Sequence, residues 1–134
     1  MDLLRDIQNI KGFVLIMKKL LVMLSGVIMF AISGCFPVED KFVLPENAVL
    51  LDVRTPEEHK EGYLAGAMLI PLAELDSKIA DSIPAKDTPV YIYCRSGRRS
   101  GIAVEKLKLQ GYKDVHNLGG LNDARSQLGL PVKK

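Results

Sequence analysis

"VYIYCRSGRRSGIA", Val90–Ala103, is the stretch on which the reading of this chain turns. Its first five residues, Val90 to Cys94, are β-branched, aromatic or apolar, the make-up of a short buried strand. After Cys94 the pattern changes. "SGIAVEKLKLQG" puts Ile102, Ala103, Val104 and Leu107 on one helical face and closes at Gly111, a residue suited to the position just past a helix end. The stretch is therefore strand, loop and helix, with the helix expected to open near Ser100 or Gly101. Cys94 stands where the strand ends. In α/β sheets, reactive groups collect at the carboxyl ends of strands, where the next loop enters a helix.

The flanking sequence repeats the alternation. "VLLDVR", Val49–Arg54, is a second buried-type strand ending in Asp52 and Arg54. "TPEEHKEG" opens a helix, with Thr55 as N-cap, Pro56 in the first helical position, acidic residues in the first turn and Gly62 as the stop. "AMLIPL" reads as a short extended segment halted by Pro71, and "AELDSKIADSI" spaces Leu75, Ile79 and Ile83 as a helix does. Beyond the quoted stretch, "YKDVHNLGG" gives a strand over Val115–Leu118 followed by a Gly-Gly turn, and "LNDARSQLG" a last helix or turn. These elements imply an α/β fold: a small central parallel β-sheet covered by helices on both faces. Two strand ends then bring Asp52, Arg54 and Cys94 to one edge.

At such an edge the chemistry of a thiol changes. Backbone N–H groups of a loop or helix start point at an anion, so Cys94 should ionise more readily than a free cysteine. Gly97 permits the unusual backbone turn this requires, and Arg95, Arg98 and Arg99 add positive charge that also attracts anionic substrates. The segment Arg95, Ser96, Gly97, Arg98, Arg99, Ser100 thus suits a nucleophilic sulfur that meets anions. The arginines are a local feature. From Cys35 onward the chain has 14 Lys/Arg and 14 Asp/Glu, leaving no basic surface for nucleic acid. His59 and His116, with no suitably spaced partners, make no metal site, and they read as surface or half-buried residues. The Gly-Lys-Ser/Thr ending of a phosphate loop is absent, and no cofactor is called for.

The N-terminal third has a different character. "MKKLLVMLSGVIMFAISGC", Met17–Cys35, runs from two lysines through an apolar stretch to small residues and a cysteine, the layout of a secretory signal. Its apolar part, Leu20–Ile32, is short of the roughly 20 residues of a membrane span. "ISGC" resembles a bacterial lipobox, which makes Cys35 the lipidated first residue of the mature protein. The expected organisation is a signal peptide over residues 1–34 with synthesis starting at Met17, a lipid-anchored tether over 35–46, and one domain over 47–132. It places the protein in the cell envelope, on the periplasmic side of a bacterial membrane, with the outer membrane favoured because Phe36-Pro37 lacks a retaining aspartate. With Cys35 bound to lipid, Cys94 has no disulfide partner in an oxidising compartment.

Four segments in order, "LLDVRTPEEH", "EGYLAGAMLIPL", "VYIYCRSGRRS" and "GYKDVHNLGG", resemble the single-domain rhodaneses, of the small exported phage-shock-protein-E-like type. The resemblance runs from about Asn47 to Val132. It implies a sulfurtransferase in which Cys94 takes the outer sulfur of thiosulfate, or of a related sulfane-sulfur donor, as a persulfide and passes it to cyanide or a thiol. It further implies that the loop N–H groups hold the thiolate and the persulfide, that Arg95, Arg98 or Arg99 bind the sulfonate, and that Asp52 and Arg54 support the site. The chain departs from the family's pattern at His59, where an aromatic is common, and at Tyr63, where a histidine is. Two other readings stand beside this one. One is a non-catalytic rhodanese-like sulfur-carrier or binding module, a kind that often loses the cysteine this chain retains as Cys94. A phosphatase or arsenate reductase wants five residues between cysteine and arginine, whereas Arg99 arrives one position early.

Overall fold

The computed structural model describes residues 41–134, together with residues 14, 16 and 17. The chain divides into two units, Met1–Glu39 and Asp40–Lys134. In the first, Val14, Ile16 and Met17 are helical and exposed. The rest of the expected signal peptide, Cys35 and the start of the tether lie outside the described residues. Among those described, no helix is long and apolar enough to cross a membrane.

The second unit runs β1 (Val49–Asp52), α1 (Pro56–Glu61), β2 (Tyr63–Leu64), β3 (Met68–Leu69), a 3-10 turn (Leu72–Glu74), α2 (Leu75–Ser82), β4 (Val90–Cys94), α3 (Arg98–Leu109), β5 (Val115–Gly120), α4 (Leu121–Leu128) and β6 (Val132–Lys133). Four strands form a parallel sheet in the order β3-β1-β4-β5, with β4 between β1 and β5. All five residues of β4 are buried, and its period of two sorts them. Val90, Ile92 and Cys94 face a core closed by Leu75 and Ile79 of α2 and by Ala103, Val104 and Leu107 of α3. Tyr91 and Tyr93 face the opposite core, with Leu50, Leu64, Leu118 and the α4 residues Ala124 and Leu128. Helices therefore cover both faces, and each fully buried aliphatic side chain contributes roughly 1.5–3 kcal/mol.

Local signals act where they were expected. Thr55 and Glu58 make a reciprocal capping box at the start of α1, Pro56 follows, and the Gly62 N–H bonds to the His59 carbonyl at the far end. Other elements differ from the sequence reading. Helix α3 opens at Arg98, two residues earlier than expected, because Gly97 takes a left-handed conformation (φ 93°) and turns the chain directly into the helix. Ile102 is 42% exposed and leaves the buried face to Ala103, Val104 and Leu107. The Gly-Gly pair is no turn: it continues β5, reached through a register shift opposite Ile92 and Tyr93. β6 pairs antiparallel with β2 in a two-stranded ribbon, so the ordered fold continues past residue 132. The later part of the expected tether is docked rather than free. The Phe42 N–H bonds to the Gln127 carbonyl at 3.0 Å, the Phe42 ring packs on Tyr91, and Leu44 joins the second core.

Candidate active site

Cys94 is the last residue of β4 and is fully buried. Its Sγ accepts the Gly97 N–H at 3.0 Å and lies 3.5 Å from the Ser100 hydroxyl. Burial pushes the thiol's pKa up. The Ser100 hydroxyl and the backbone N–H groups of Ser100, Ser96 and Gly97 together outweigh that and hold it below the ordinary value. The donors come from a loop and the first turn of α3, where N–H groups have no partner within the helix. The sulfur occupies the place of the anion that such a turn accepts.

The hydroxyl of Ser100 is fixed from the neighbouring strand. It reaches Asn117 Oδ1 at 2.7 Å and the Gly97 carbonyl at 3.0 Å, and Asn117 Oδ1 also accepts the Gly119 N–H at 2.9 Å. Asn117 donates its amide to the Gly97 carbonyl at 3.3 Å, so one side chain of β5 braces the loop at both Gly97 and Ser100. Two close approaches make this possible. A Cβ on Gly97 would stand 3.2 Å from the Gly119 Cα, and one on Gly120 only 2.5 Å from the Arg95 carbonyl oxygen. Asn117 carried no signal in the sequence. The Gly-Gly pair did, although its purpose is this contact and not a turn.

The three arginines divide. Arg99 gives both terminal nitrogens to Glu58, at 2.7 and 2.8 Å, and this pairing raises its pKa. The bond to Arg99 is also the largest cause holding the Glu58 carboxyl down at about 2. Arg99 is thus a strut between α3 and α1. Arg95 and Arg98 are exposed, and neither forms an ion pair among the described residues.

Beneath the same edge, Asp52 and Arg54 form a buried pair, Arg54 Nη2 to Asp52 Oδ2 at 2.7 Å and Nε to Oδ1 at 2.9 Å. Arg54 also donates to the Gly62 carbonyl at 2.7 Å and the Glu58 carbonyl at 3.3 Å. Asp52 accepts from the Tyr93 hydroxyl at 3.1 Å, and that oxygen in turn accepts the Leu64 N–H. Burial works against both charges. Hydrogen bonds from Arg54 and His59 nevertheless keep the Asp52 carboxyl below its ordinary range, while Asp52 raises Arg54. Burial pushes Tyr93 up to about 12, so its hydroxyl stays a donor. His59, read from sequence as a residue without a role, is half-buried with its Nδ1 2.9 Å from Asp52 Oδ2 and its ring stacked on Tyr63. Since an ionised carboxylate only accepts, Nδ1 carries the proton. The network locks α1 and β2 to the strand ends, and no cluster that could hold a metal ion occurs among the described residues.

Beside the loop lies a cavity of about 370 Å³, with Arg54, Glu58, Glu61, Arg95, Leu121 and Asn122 in its wall. A second, of about 430 Å³, shares Arg54 and is bounded by Pro71, Leu72, Ala73, Arg99 and Lys106.

Fold and site together define a small α/β protein with an anion-type cysteine loop at the carboxyl edge of a parallel sheet. The sequence model of the rhodanese-like domain matches residues 40–127, and the chain belongs to that family, among the rhodanese-like sulfurtransferases. It is 45% identical over 73 residues to the thiosulfate sulfurtransferase PspE of Escherichia coli, covering 54% of this chain and 70% of that protein. It is 41% identical over 87 residues to a sulfurtransferase of Allochromatium vinosum, covering 65% and 79% respectively. Among solved structures, a rhodanese with anions from E. coli superposes with a TM-score of 0.59 at 39% identity, over 65% of this chain and 98% of the other.

Proposed function

We propose that the protein moves sulfane sulfur from thiosulfate to a thiol or cyanide through a persulfide on Cys94. The observation that carries this reading is the sulfur's setting: Sγ accepts the Gly97 N–H at 3.0 Å at the start of α3, in a ring of donors that favours the thiolate. In the first half-reaction the Cys94 thiolate attacks the outer sulfur of thiosulfate. A new S–S bond forms at Cys94, the S–S bond of thiosulfate breaks, and its electron pair leaves with sulfite. In the second, an acceptor thiolate or cyanide attacks the outer sulfur of the persulfide and the electron pair returns to Cys94. The donors that hold the thiolate also suit a persulfide anion. Arg95 and Arg98, exposed and without an ion pair among the described residues, supply the positive field that draws in the thiosulfate dianion.

The test is intact mass of the purified protein before and after thiosulfate treatment. Wild type should gain the mass of one sulfur atom on Cys94 and then turn over cyanide. Cys94→Ser, nearly isosteric, should do neither while remaining folded. A serine variant that kept most of its activity would rule the persulfide out.

We further propose that the domain works at the periplasmic side of a bacterial membrane, held there by lipid on Cys35. Support comes from the ordered run of Lys18-Lys19, apolar Leu20–Ile32, Ser33-Gly34 and Cys35. Two or more acyl chains hold a protein stably where one does not. Wild type should therefore fractionate with membranes, and Cys35→Ala should block processing or release the domain.

A further inference from the structure

The Ser100 hydroxyl has one proton and four acceptors within reach: Asn117 Oδ1 at 2.7 Å, the Gly97 carbonyl at 3.0 Å, the Gly119 carbonyl at 3.4 Å and Cys94 Sγ at 3.5 Å. Which of them takes the proton follows from what each already accepts. The Gly97 carbonyl accepts the Gly101 N–H at 3.0 Å and the Asn117 amide at 3.3 Å, which occupies both of its lone pairs. Asn117 Oδ1 accepts the Gly119 N–H at 2.9 Å and has one lone pair left, on the shortest of the four contacts. Its orientation is fixed as well. Turning the amide over would set its NH2 against the Gly119 N–H and its oxygen against the Gly97 carbonyl. With Cys94 as a neutral thiol, the hydroxyl therefore donates to Asn117 and leaves its own oxygen free to accept the S–H. With Cys94 as a thiolate, the sulfur is the only charged acceptor of the four and draws the same proton.

We infer that Asn117 is a positioning residue for the nucleophile, holding the Ser100 proton whenever Cys94 is uncharged and so competing with the sulfur for it. The consequence has the opposite sign to that of an ordinary brace. Asn117 gives the neutral thiol a satisfied hydroxyl neighbour, so its loss favours the thiolate, whereas loss of Ser100 disfavours it. An exposed side chain on β5 thus sets the acidity of a buried cysteine on β4 through one hydroxyl. The charged groups on the elements around Cys94 are Arg95 in the loop, Arg99 of α3 bound to Glu58 of α1, and the Asp52–Arg54 pair at the end of β1. On β5, His116 is paired with Asp114, and in the core beneath Cys94 the Tyr112 hydroxyl donates to the Ile83 carbonyl. All of these are the same in every protein compared below. For sulfur transfer, which rests on the sulfurtransferase reading above, the hydroxyl turns to Asn117 as Sγ gives up its charge to the new S–S bond, and turns back when the electron pair returns. No buried donor is stranded at either step.

The experiment is the pH profile of Cys94 alkylation by iodoacetamide, read by peptide mass, in wild type, Asn117→Leu, Ser100→Ala and the double variant. Leucine keeps the size of asparagine and removes both polar ends. Asn117→Leu should lower the midpoint by about half a unit to one unit, the scale of one ordinary hydrogen bond. Ser100→Ala should raise it. Adding Asn117→Leu to Ser100→Ala should change nothing further, because no proton is left to compete for. A midpoint left unchanged or raised by Asn117→Leu alone, or indifferent to Ser100→Ala, would overturn the inference. So would the same fall with and without Ser100, which would place the effect in the shape of the loop. Asn117 is exposed, so its replacement leaves the core intact; should Asn117→Leu fail to fold by circular dichroism, Asn117→Ala takes its place with the same expected signs. Thiosulfate loading is measured in parallel by intact mass. Failure of wild type to gain sulfur would sink the sulfurtransferase reading, while the alkylation midpoints would still decide the competition for the proton.

Discussion

Glu58→Gln separates the charge of the strut from its shape. The glutamate binds Arg99 through two hydrogen bonds and caps α1 by accepting the Thr55 N–H at 3.0 Å. Glutamine keeps the size and one acceptor oxygen but loses the ion pair. With Arg99 as the leading cause, the Glu58 carboxyl is lowered from 4.5 to about 2. At 1.36 kcal/mol per pKa unit, that displacement corresponds to at most about 3.4 kcal/mol. The two side chains are 32% (Arg99) and 19% (Glu58) exposed, so solvent screens part of it. The loss at neutral pH should be roughly 1–2 kcal/mol, between a surface pair and a buried one. Its pH dependence has a definite sign. A carboxylate with a depressed pKa in the folded state stabilises fully above its unfolded value, here 4.5, and loses that contribution as pH falls toward about 2. The stability gap between wild type and variant should therefore be level from pH 6 to 8, narrow from about pH 4.5, and close near pH 2. Urea titrations of both proteins at pH 7, 4, 3 and 2 measure it. A gap of equal size at pH 7 and pH 2 would show that glutamine disturbs packing or capping instead, and the strut argument would fail.

Three further outcomes follow from the site. Arg95→Ala with Arg98→Ala should raise KM for thiosulfate with little change in kcat, and moderate salt should reproduce part of the loss in wild type, since charges beyond about 10 Å are screened at 0.1 M. Gly120→Ala sets a methyl group 2.5 Å from the Arg95 carbonyl, so the cysteine loop must move; displacement by about 1 Å can cost on the order of 100-fold in kcat/KM. Because the loop donors hold the Cys94 thiol below its ordinary pKa, iodoacetamide should alkylate wild type at lower pH than Ser100→Ala, which removes the largest lowering cause. Superimposed pH profiles for the two proteins would place the effect in the backbone N–H groups alone.

The parallel sheet was legible because its strands are short apolar runs that end in charge or in turn residues. β4 spans Val90–Cys94, as its composition implies, and β1 begins at Val49 as expected but stops at Asp52, two residues short of the apolar run's end at Arg54, although Val53 and Arg54 stay buried. The start of α1 was legible because Thr55, Pro56 and Glu58 act within four residues of one another. The β2–β6 ribbon left no such trace. Each of its strands has two residues, too few for a period, and the partners are some seventy positions apart in the chain. Docking of Phe42 on Tyr91 was hidden for the same reason, since Pro45 and the polar residues around it read as a linker.

At the site, the position of Cys94 was legible and the work of the arginines was not. In "CRSGRRS" they are chemically identical, and nothing local distinguishes them. What separates them is the helix that Gly97 starts. Arg98 and Arg99 occupy its first two positions, and successive residues on a helix differ by about 100° in direction. Only one of the pair can meet a carboxylate on α1, and the acceptor that decides between them, Glu58, is 41 residues away. Arg95 precedes the turn and stays in the loop, in the wall of the cavity that also contains Glu61. A single left-handed glycine thus turns three equivalent cations into a strut, a free charge on the helix and a free charge beside the nucleophile. Starting the helix one residue earlier would put Arg98 in the second position, which Arg99 now holds, without changing the composition of the loop.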